Sequence, residues 1–267
     1  MTDLPLTRSV RLRRVVAVLT ALALGVISSA CTWQSQGNVA GAIKQPIPPV
    51  APPPMQAVAP PTPDPPPPPS NWIASAMVPK VAVYADPSVA QPVRTLSHPT
   101  PERYPLAFRV QERAGDWLKV FLPVRPNGSV GWIRASDVAL SSTNYRMVVE
   151  VGAHRITLYD GANAVLTAPV GVGVARYPTP PGDFYIDATV PLANTGGVYG
   201  PYQMSIAGFS DVLTSFGGGQ GQLALHGTNS PAGIGTDVSH GCVRMLNDVI
   251  TVLAQTVPVG TPLQIVA

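Results

Sequence analysis

Apolar residues between positions 72 and 141 fall in short runs that turn-forming residues separate. Val81–Tyr84, Trp117–Phe121 and Val130–Ile133 are three such runs, and Arg125–Gly128 is the turn before the last of them. Apolar stretches of about four to eight residues bounded by Gly, Pro, Asn and Asp are typical of β-strands. We therefore predict a small β-domain over residues 72–141.

The chain from residue 144 onward continues this pattern. Tyr145–Val151 and Arg155–Tyr159 predict a hairpin, and Val165–Val174 predicts a further strand of the same sheet. Thr179–Ile186 begins as a turn and continues as a strand, because Pro180, Pro181 and Gly182 precede the β-favouring run Phe184–Ile186. These elements predict a second, larger β-domain over residues 144–267.

The period of the pattern changes near the end of the chain. Val249, Ile250, Leu253 and Val257 recur at helical spacing, which predicts a short helix over residues 248–257. We expect Asn247 to cap it, since Asn is favoured at that position. Pro258 ends the helix, and a final strand follows over residues 261–266.

The first thirty residues belong to neither domain. Four arginines precede Val15–Ile27, an apolar run of thirteen residues. A run of that length is too short to span a bilayer core of about 30 Å as a helix. The small residues Ser28, Ser29 and Ala30 follow it. This arrangement is typical of a secretory signal peptide, which we predict over residues 1–30.

Cys31 directly follows the predicted cleavage site, in the position of the acceptor cysteine of a bacterial lipoprotein. Ser28 stands where such proteins usually carry a Leu-like residue, so cleavage after Ala30 without lipidation is the alternative. We favour lipidation of Cys31. Its acyl chains would anchor the protein to the membrane, because two or more chains give stable attachment.

Residues 31–71 predict a disordered, proline-rich linker. More than half of the residues in Pro46–Pro69 are proline. Such a segment cannot build a core and adopts extended polyproline II, which reaches on the order of 70 Å over this length. We interpret it as a stalk between the membrane and the two β-domains. A passive tether is the alternative.

The charge balance argues against a nucleic-acid partner. The chain has 17 Lys and Arg residues against 14 Asp and Glu, but four arginines and Asp3 precede Cys31. The remainder of the chain therefore carries 13 residues of each sign. Because nucleic-acid-binding domains present a basic surface, we expect no such partner for the mature chain.

The segment from His226 to Asn247 carries the residues with chemical potential. It contains His226, His240 and Cys242, with Gly241 next to the cysteine. A thiol with the usual pKa of about 8.5 needs a base or a positive neighbour to act as a nucleophile at neutral pH. Either histidine could supply the base, and Gly241 would let backbone N–H groups converge on an oxyanion. The other histidines, His98 and His154, we interpret as surface residues.

Zinc is the competing interpretation of these His and Cys residues. Structural zinc sites usually show closely spaced Cys pairs or His pairs, and this segment has neither spacing. Cys242 has Cys31 as its only possible disulfide partner in the chain, at the far end of the linker. We therefore predict a reactive free thiol at Cys242, with no metal and no cofactor.

The pattern H-G-T…S-H-G-C-V-R-M at residues 226–245 resembles the active site of the L,D-transpeptidases, the YkuD-type domains that remodel bacterial peptidoglycan. A second stretch, Thr179–Ile186, resembles the T-P-x-G-x-F/Y-x-I signature of the same family. The resemblance implies that residues 144–267 form the catalytic domain. In that family the upstream histidine is the base and the cysteine is the nucleophile, here His226 and Cys242.

The same resemblance implies roles for the neighbouring residues. The carbonyl of Gly227 would orient the base, His240 would support the thiol, and the backbone at Gly241 and Cys242 would form the oxyanion hole. Arg244 would hold a substrate carboxylate. We also expect substrate contacts from Ser239, beside the motif, and from cleft-wall residues in and near the glycine-rich stretch Asn194–Gln222. These are Tyr202 and Met204, with Tyr199 as a further one. An ordinary connecting loop is the alternative for that stretch.

Residues 72–141 resemble the bacterial SH3-like domain of wall enzymes through G-D-W-L-K-V…P-N-G-S-V-G-W-I-R-A-S-D-V. The implied fold is a small barrel of five to six strands. Trp117 and Trp132 are then either core residues or the lining of a groove for wall peptide. The whole chain is thus predicted to be mainly all-β: an SH3-like barrel followed by a YkuD-type β-sandwich with a short C-terminal helix.

The resemblance implies an exported enzyme that acts on peptidoglycan stem peptides, both donor and acceptor, in the cell envelope. It would cleave the bond between the third residue and D-Ala of a tetrapeptide through a Cys242 thioester and form 3→3 cross-links. A hydrolytic L,D-carboxypeptidase shares every one of these residues. An exported cysteine peptidase is disfavoured because its cysteine precedes its histidine. A non-catalytic wall-binding lipoprotein is the remaining alternative.

Overall fold

The computed structural model describes residues 71–267. The predicted signal peptide, Cys31 and nearly all of the predicted linker lie outside the described residues. Asn71, the last residue of that linker, begins the first strand. Within the described part of the chain, no helix has the length and apolar character needed to cross a membrane.

Seven strands make up the first of the two β-structures. They are β1 (Asn71–Ala76), β2 (Lys80–Val83), β3 (Arg94–Ser97), β4 (Ala107–Ala114), β5 (Trp117–Phe121), β6 (Val130–Arg134) and β7 (Val138–Thr143). Five of them pair in the order β6-β5-β4-β1-β7, and β2 and β3 form a separate hairpin. Inward-facing residues such as Val81, Phe108 and Ile133 build a separate core for this unit.

Two of the three tryptophans in this unit, Trp117 and Trp132, were predicted either to be core residues or to line a groove, and they lie outside the buried core. Trp117 and Trp132 are half-buried, and neither belongs to the buried cluster. Tyr84 contacts Trp117 edge-on with 5.0 Å between ring centroids. The guanidinium of Arg134 lies 3.7 Å from the centroid of the same ring. Cation–π and edge contacts accommodate an indole on a small sheet whose interior is filled by smaller residues.

The second β-structure contains ten strands and one helix. They are β8 (Tyr145–Glu150), β9 (Arg155–Asp160), β10 (Asn163–Pro169), β11 (Val172–Gly173), β12 (Gly182–Pro191), β13 (Tyr202–Phe209), β14 (Gln222–His226), β15 (Asp237–Ser239), β16 (Val243–Arg244), α1 (Asn247–Thr256) and β17 (Pro262–Val266). Eight strands pair in the order β10-β9-β8-β17-β12-β13-β14-β16, and β11 pairs with β15.

This sheet curls around one hydrophobic core. Ile156 on β9 and Val243 on β16 come from opposite ends of the strand order, yet both belong to a single buried cluster. Irregular pairing between β12 and β13 and between β13 and β14 provides the bends. Ile250 and Leu253 of α1 pack against the same core. Together with the seven-stranded unit, this confirms the predicted mainly-β fold class with one short helix in the described residues.

The helix begins one residue earlier than predicted, and its cap differs. Leu246 occupies the N-cap position without a side-chain hydrogen bond, and Asn247 is the first helical residue. The Asn247 side chain instead accepts a hydrogen bond from the backbone N–H of Thr228 at 2.8 Å. The prediction that Asn247 caps the helix is therefore wrong. Its side chain holds the turn that follows β14 against the start of α1.

Candidate active site

His226 is the last residue of β14, and its ring is held in one tautomer. The side chain is only 2% exposed. Its Nδ1 lies 2.6 Å from the carbonyl oxygen of Gly227. A carbonyl can only accept a hydrogen bond, so Nδ1 must carry the proton. The other ring nitrogen, Nε2, is therefore free to accept a proton, as a general base must.

Burial also keeps the His226 ring neutral. It lowers the pKa of His226 to about 4, against the opposing effect of the Gly227 hydrogen bond and with a smaller contribution from the Arg244 charge. An imidazole with that pKa is unprotonated at neutral pH. The base is thus in its active form throughout the physiological range.

Cys242 lies in the turn between β15 and β16, next to the end of β14. β14 and β16 run parallel, with Leu225 opposite Val243 and His226 opposite Arg244. The same register places Cys242 beside Ala224, whose backbone hydrogen-bonds to the thiol. Residues two apart on a strand share one face of the sheet. Cys242 therefore lies on the face that carries His226, and Val243 and Leu225 point to the opposite face, into the core.

Cys242 is half-buried and has no disulfide partner in the described chain. Burial raises the pKa of Cys242, and the Ala224 hydrogen bond and the Arg244 charge offset this only in part. The resting state at neutral pH is therefore a neutral thiol beside a neutral imidazole. Such a pair is poised for general-base catalysis, in which the sulfur loses its proton as it attacks.

Hydrogen bonds fix the turn that presents the thiol. Ser239 Oγ accepts the N–H of Gly241 at 3.1 Å and donates to the carbonyl of Cys242 at 2.6 Å. Thr179 Oγ1 donates to the carbonyl of Gly241 and accepts the N–H of Gly173, both at 2.9 Å. Gly241 has φ of +113°, a conformation that favours glycine.

These bonds correct two of the predicted roles. Ser239 is 2% exposed and is occupied within its own turn, so it shapes the site rather than contacting substrate. The N–H of Gly241 is bonded to Ser239, so Gly241 does not offer its donor to an oxyanion here. Gly241 acts through its backbone conformation, and the N–H of Cys242 remains as the backbone donor next to the sulfur.

Arg244 lies close to both reacting groups. It is paired with His226 across β14 and β16, and its charge lowers the pKa of both His226 and Cys242. Its Nε is buried without a hydrogen-bond partner. A guanidinium group this close to the thiol is of the kind that binds carboxylates.

Comparison with known proteins agrees with this geometry. Residues 144–265 match the family model of YkuD, the L,D-transpeptidase catalytic domain. We refer to this matched segment as the YkuD domain, after the family model that it resembles. The chain is 37% identical over 117 residues to YkuD of Bacillus subtilis strain 168, over 44% of this chain and 63% of that protein. It is 32% identical over 180 residues to ErfK/SrfK of Salmonella typhimurium strain LT2, over 61% of this chain and 57% of that protein.

Both relatives are provisionally named L,D-transpeptidases, and the chain spans less than two thirds of the length of each. Among solved structures, an L,D-transpeptidase from Mycobacterium smegmatis is similar at 19% identity with a TM-score of 0.38, covering 60% of this chain and 82% of that chain.

Two aromatic residues of the YkuD domain that sequence reasoning did not single out frame the active site. The exposed ring of His240 lies between Tyr177 and Phe216, with centroid distances of 5.0 and 5.4 Å. Tyr199, which was predicted, contacts the His226 ring edge-on at 4.8 Å. Phe216 follows a turn-forming stretch and precedes three glycines, so the sequence around it has no apolar periodicity from which its role could be predicted. His240 is thus held beside the thiol turn by stacking.

The two predicted cleft-wall residues on β13 differ from each other. Met204 is fully buried and packs in the core, so the prediction that it contacts substrate is wrong for this structure. Tyr202 is partly buried, and its carbonyl accepts the N–H of Gly227 at 3.4 Å. The strand alternation places Gln203, rather than Met204, on the face that carries His226.

The remaining histidines, His98 and His154, contact neither His226 nor Cys242 in the hydrogen bonds that they form. His98 Nδ1 accepts the backbone N–H of Leu106 at 3.0 Å, and His154 Nε2 lies 2.8 Å from Asp237 Oδ1. Within residues 71–267, no three His, Cys, Asp or Glu side chains are grouped so that they could hold a metal ion.

Proposed function

We propose that this protein is an exported L,D-transpeptidase that acts on peptidoglycan stem peptides through Cys242. The observation that carries the proposal is the 2.6 Å bond from His226 Nδ1 to the Gly227 carbonyl. That bond leaves a buried, neutral Nε2 as a base on the sheet face that carries the thiol. The match of residues 144–265 to the L,D-transpeptidase catalytic domain supports the same reaction class.

In the first half-reaction, Cys242 Sγ attacks the carbonyl between the third residue and D-Ala of a donor tetrapeptide. The thiol proton passes to His226 Nε2, and the carbonyl oxygen becomes an oxyanion next to the Cys242 N–H. The C–N bond then breaks as His226 returns the proton to the leaving amine of D-Ala. The products are free D-Ala and a thioester. Losing one oxyanion donor typically slows such reactions about 10²–10³-fold.

In the second half-reaction, the side-chain amine of an acceptor diamino acid attacks the thioester. His226 takes a proton from the amine, the C–S bond breaks, and the thiolate recovers a proton from His226. The new amide joins two third residues as a 3→3 cross-link. Every proton transfer uses His226, so the cycle needs no metal or diffusible cofactor. Arg244, beside both groups, would hold a carboxylate of the donor.

The remaining parts of the chain have proposed roles that follow from a substrate located in the cell wall. Signal cleavage after residue 30 and lipidation of Cys31 would place the enzyme at the outer face of the membrane. The proline-rich linker would extend the catalytic part into the wall. We propose an SH3-like identity for residues 72–141, supported by the short strands and separate core of that unit.

The test is product analysis with purified protein that lacks residues 1–30. It is incubated with a tetrapeptide donor and an amine acceptor, and products are resolved by mass spectrometry. We expect cross-linked dimer and D-Ala from the native protein and neither from Cys242→Ala. Tripeptide without dimer would identify a carboxypeptidase instead. Full activity of Cys242→Ala, or no turnover by the native protein, would overturn the proposal.

A further inference from the structure

A cavity of about 600 Å³ lies between the seven-stranded unit and the YkuD domain. Its floor includes Ala188, Gln203 and Ser205, and its other walls include Glu102 and Arg125 of the seven-stranded unit. This volume is typical of ligand pockets, which often form where two domains meet. The site geometry described above does not use this cavity.

The cavity floor is continuous with the face that carries the reacting pair. Ala188 is opposite Ser205, Ser205 is opposite Ala224, and the Ala224 backbone bonds to the Cys242 thiol. Neighbouring strands lie about 4.8 Å apart, so this row is about 14 Å long from backbone to backbone. The side chains along this row are small, and two of its residues, Ala188 and Ser205, line the cavity.

Asp187 lies in the cavity wall at the far end of this row. It is the extra residue of a β-bulge, because Ile186 is opposite Ile206 whereas Ala188 is opposite Ser205. Bulges commonly redirect side chains next to active sites. The Gln222 amide donates to Asp187 Oδ2 at 2.7 Å, and Oδ1 is buried without a partner.

The surroundings of this carboxyl group favour a cation. Burial, with a smaller contribution from the Glu102 charge, raises the pKa of Asp187 to about 7, against the opposing effect of the Gln222 hydrogen bond and of the N–H groups of Asp187 and Ala188. Two facing acidic groups with one unpartnered oxygen are stabilised by a positive charge placed between them. An ammonium group would satisfy Oδ1 and relieve the repulsion between the carboxylates.

We propose that the cavity binds the side-chain ammonium of the diamino acid at the third position of the donor peptide, with Asp187 as its partner. The proposal rests on the proposed function, which places the carbonyl of that same residue at Cys242. Its side chain would then run over Ala224 and Ser205 to the carboxylate. Asp187 would make the enzyme specific for a donor whose third residue carries a free amine.

The test separates binding from chemistry. Cys242→Ala protein with residues 31–267 is titrated calorimetrically with a tetrapeptide and with the same peptide acetylated on the third side chain. We expect the free amine to bind about ten- to a hundredfold more tightly. Asp187→Asn in the same background should bind both peptides alike. Asp183→Asn, an exposed carboxylate on the same strand, should keep the preference.

A second variant guards against misfolding of Asp187→Asn. Glu102 is exposed, so Glu102→Lys should fold normally and should place a competing cation opposite Asp187. We expect this variant to lose the preference for the free amine by about tenfold or more. The Cys242→Ala parent should also release protons on binding at pH 7, measured in two buffers, because an ammonium lowers the pKa of Asp187. Asp187→Asn should not.

The inference is overturned if Asp187→Asn retains the full preference, or if the parent binds both peptides equally. These outcomes are independent of turnover. A native protein that is never acylated, together with an Asp187-dependent preference in binding, would refute the proposed reaction and leave the cavity assignment intact. Acylation of Cys242, together with peptide binding that does not depend on Asp187, would support the proposed reaction and refute the cavity assignment.

Discussion

The side-chain amide of Asn127 pairs with both backbone groups of Phe209. Asn127 Nδ2 donates to the Phe209 carbonyl at 2.8 Å, and the Phe209 N–H donates to Asn127 Oδ1 at 2.9 Å. Nearby, Arg125 donates to the carbonyls of Leu213 and Gln220. A turn of the seven-stranded unit thus holds both ends of the loop whose tip carries Phe216. Since Phe216 stacks on His240, the clamp orders one wall of the active site.

Asn127→Ala should therefore loosen the loop. The variant loses both hydrogen bonds between the Asn127 side chain and the Phe209 backbone, so we expect faster hydrogen exchange over residues 211–220. We also expect a three- to tenfold lower kcat/KM for donor turnover, because a mobile loop no longer encloses the donor. Arg113→Ala, an exposed arginine on the same unit, is the matched control and should change neither quantity. Unchanged loop exchange in Asn127→Ala would show that the clamp is dispensable.

Thr179 is expected to be a structural support of the nucleophile turn. Thr179→Val keeps the side-chain shape but leaves the Gly173 N–H and the Gly241 carbonyl without partners. We expect the free energy of unfolding to fall by about 2–4 kcal/mol, measured by denaturant titration. Thr179→Ser restores the hydroxyl and should recover most of the loss. Equal stability of the Val and Ser variants would contradict this role.

The Asn247 side chain should matter for the turn after His226 rather than for helix capping. Asn247→Asp keeps an acceptor for the Thr228 N–H, whereas Asn247→Ala removes it. We expect Asn247→Ala to lose about 1–2 kcal/mol of stability and Asn247→Asp to lose less. The comparison is made by thermal and denaturant unfolding. Equal losses in the two variants would mean that the hydrogen bond contributes nothing.

His226 and Asp187 should have opposite effects on stability between pH 4.5 and 6.5. The folded pKa of His226, about 4, lies below its unfolded value, so its contribution is present above about pH 6.5 and is lost as the pH falls. The folded pKa of Asp187, about 7, lies above its unfolded value, so its contribution is present at low pH and is lost as the pH rises.

When one group is removed, the pH dependence of the free energy of unfolding should show the effect of the other group. Between pH 4.5 and 6.5, Asp187→Asn should gain stability relative to the native protein by about 2–3 kcal/mol, and His226→Gln should lose a similar amount. Unfolding free energies of the three proteins at each pH measure this. Parallel curves for all three would show that neither group is perturbed by the fold.

Sequence patterns predicted the elements well where one face of a strand meets a core. β5 has the predicted bounds, Trp117–Phe121, and the observed helix Asn247–Thr256 is shifted by one residue from the prediction. The family resemblance predicted that His226 acts on Cys242, and the register of β14 and β16 places Cys242 beside Ala224, on the face of the sheet that carries His226.

Predictions of residue roles failed where the role depends on which face of a strand is covered by a distant part of the chain. Met204 and Gln203 alternate on β13, and the sequence does not show which of them faces the core. Ser239 was predicted to contact substrate because the sequence does not reveal that its hydroxyl is hydrogen-bonded within its own turn. Asp187 was not singled out, since the bulge that aims it depends on the pairing of β12 with β13.

The measurement that tests the central claim most directly is the pH dependence of Cys242 acylation by a tetrapeptide, followed by intact-protein mass spectrometry in native protein and in His226→Gln. If His226 is the base, the native rate should rise as the pH passes about 4 and then remain level to about pH 8, since a neutral imidazole removes the thiol proton during attack. His226→Gln should be about 10²–10⁴-fold slower at pH 7 and should accelerate about tenfold per pH unit, because only preformed thiolate can react. Matching profiles in the two proteins would contradict the account.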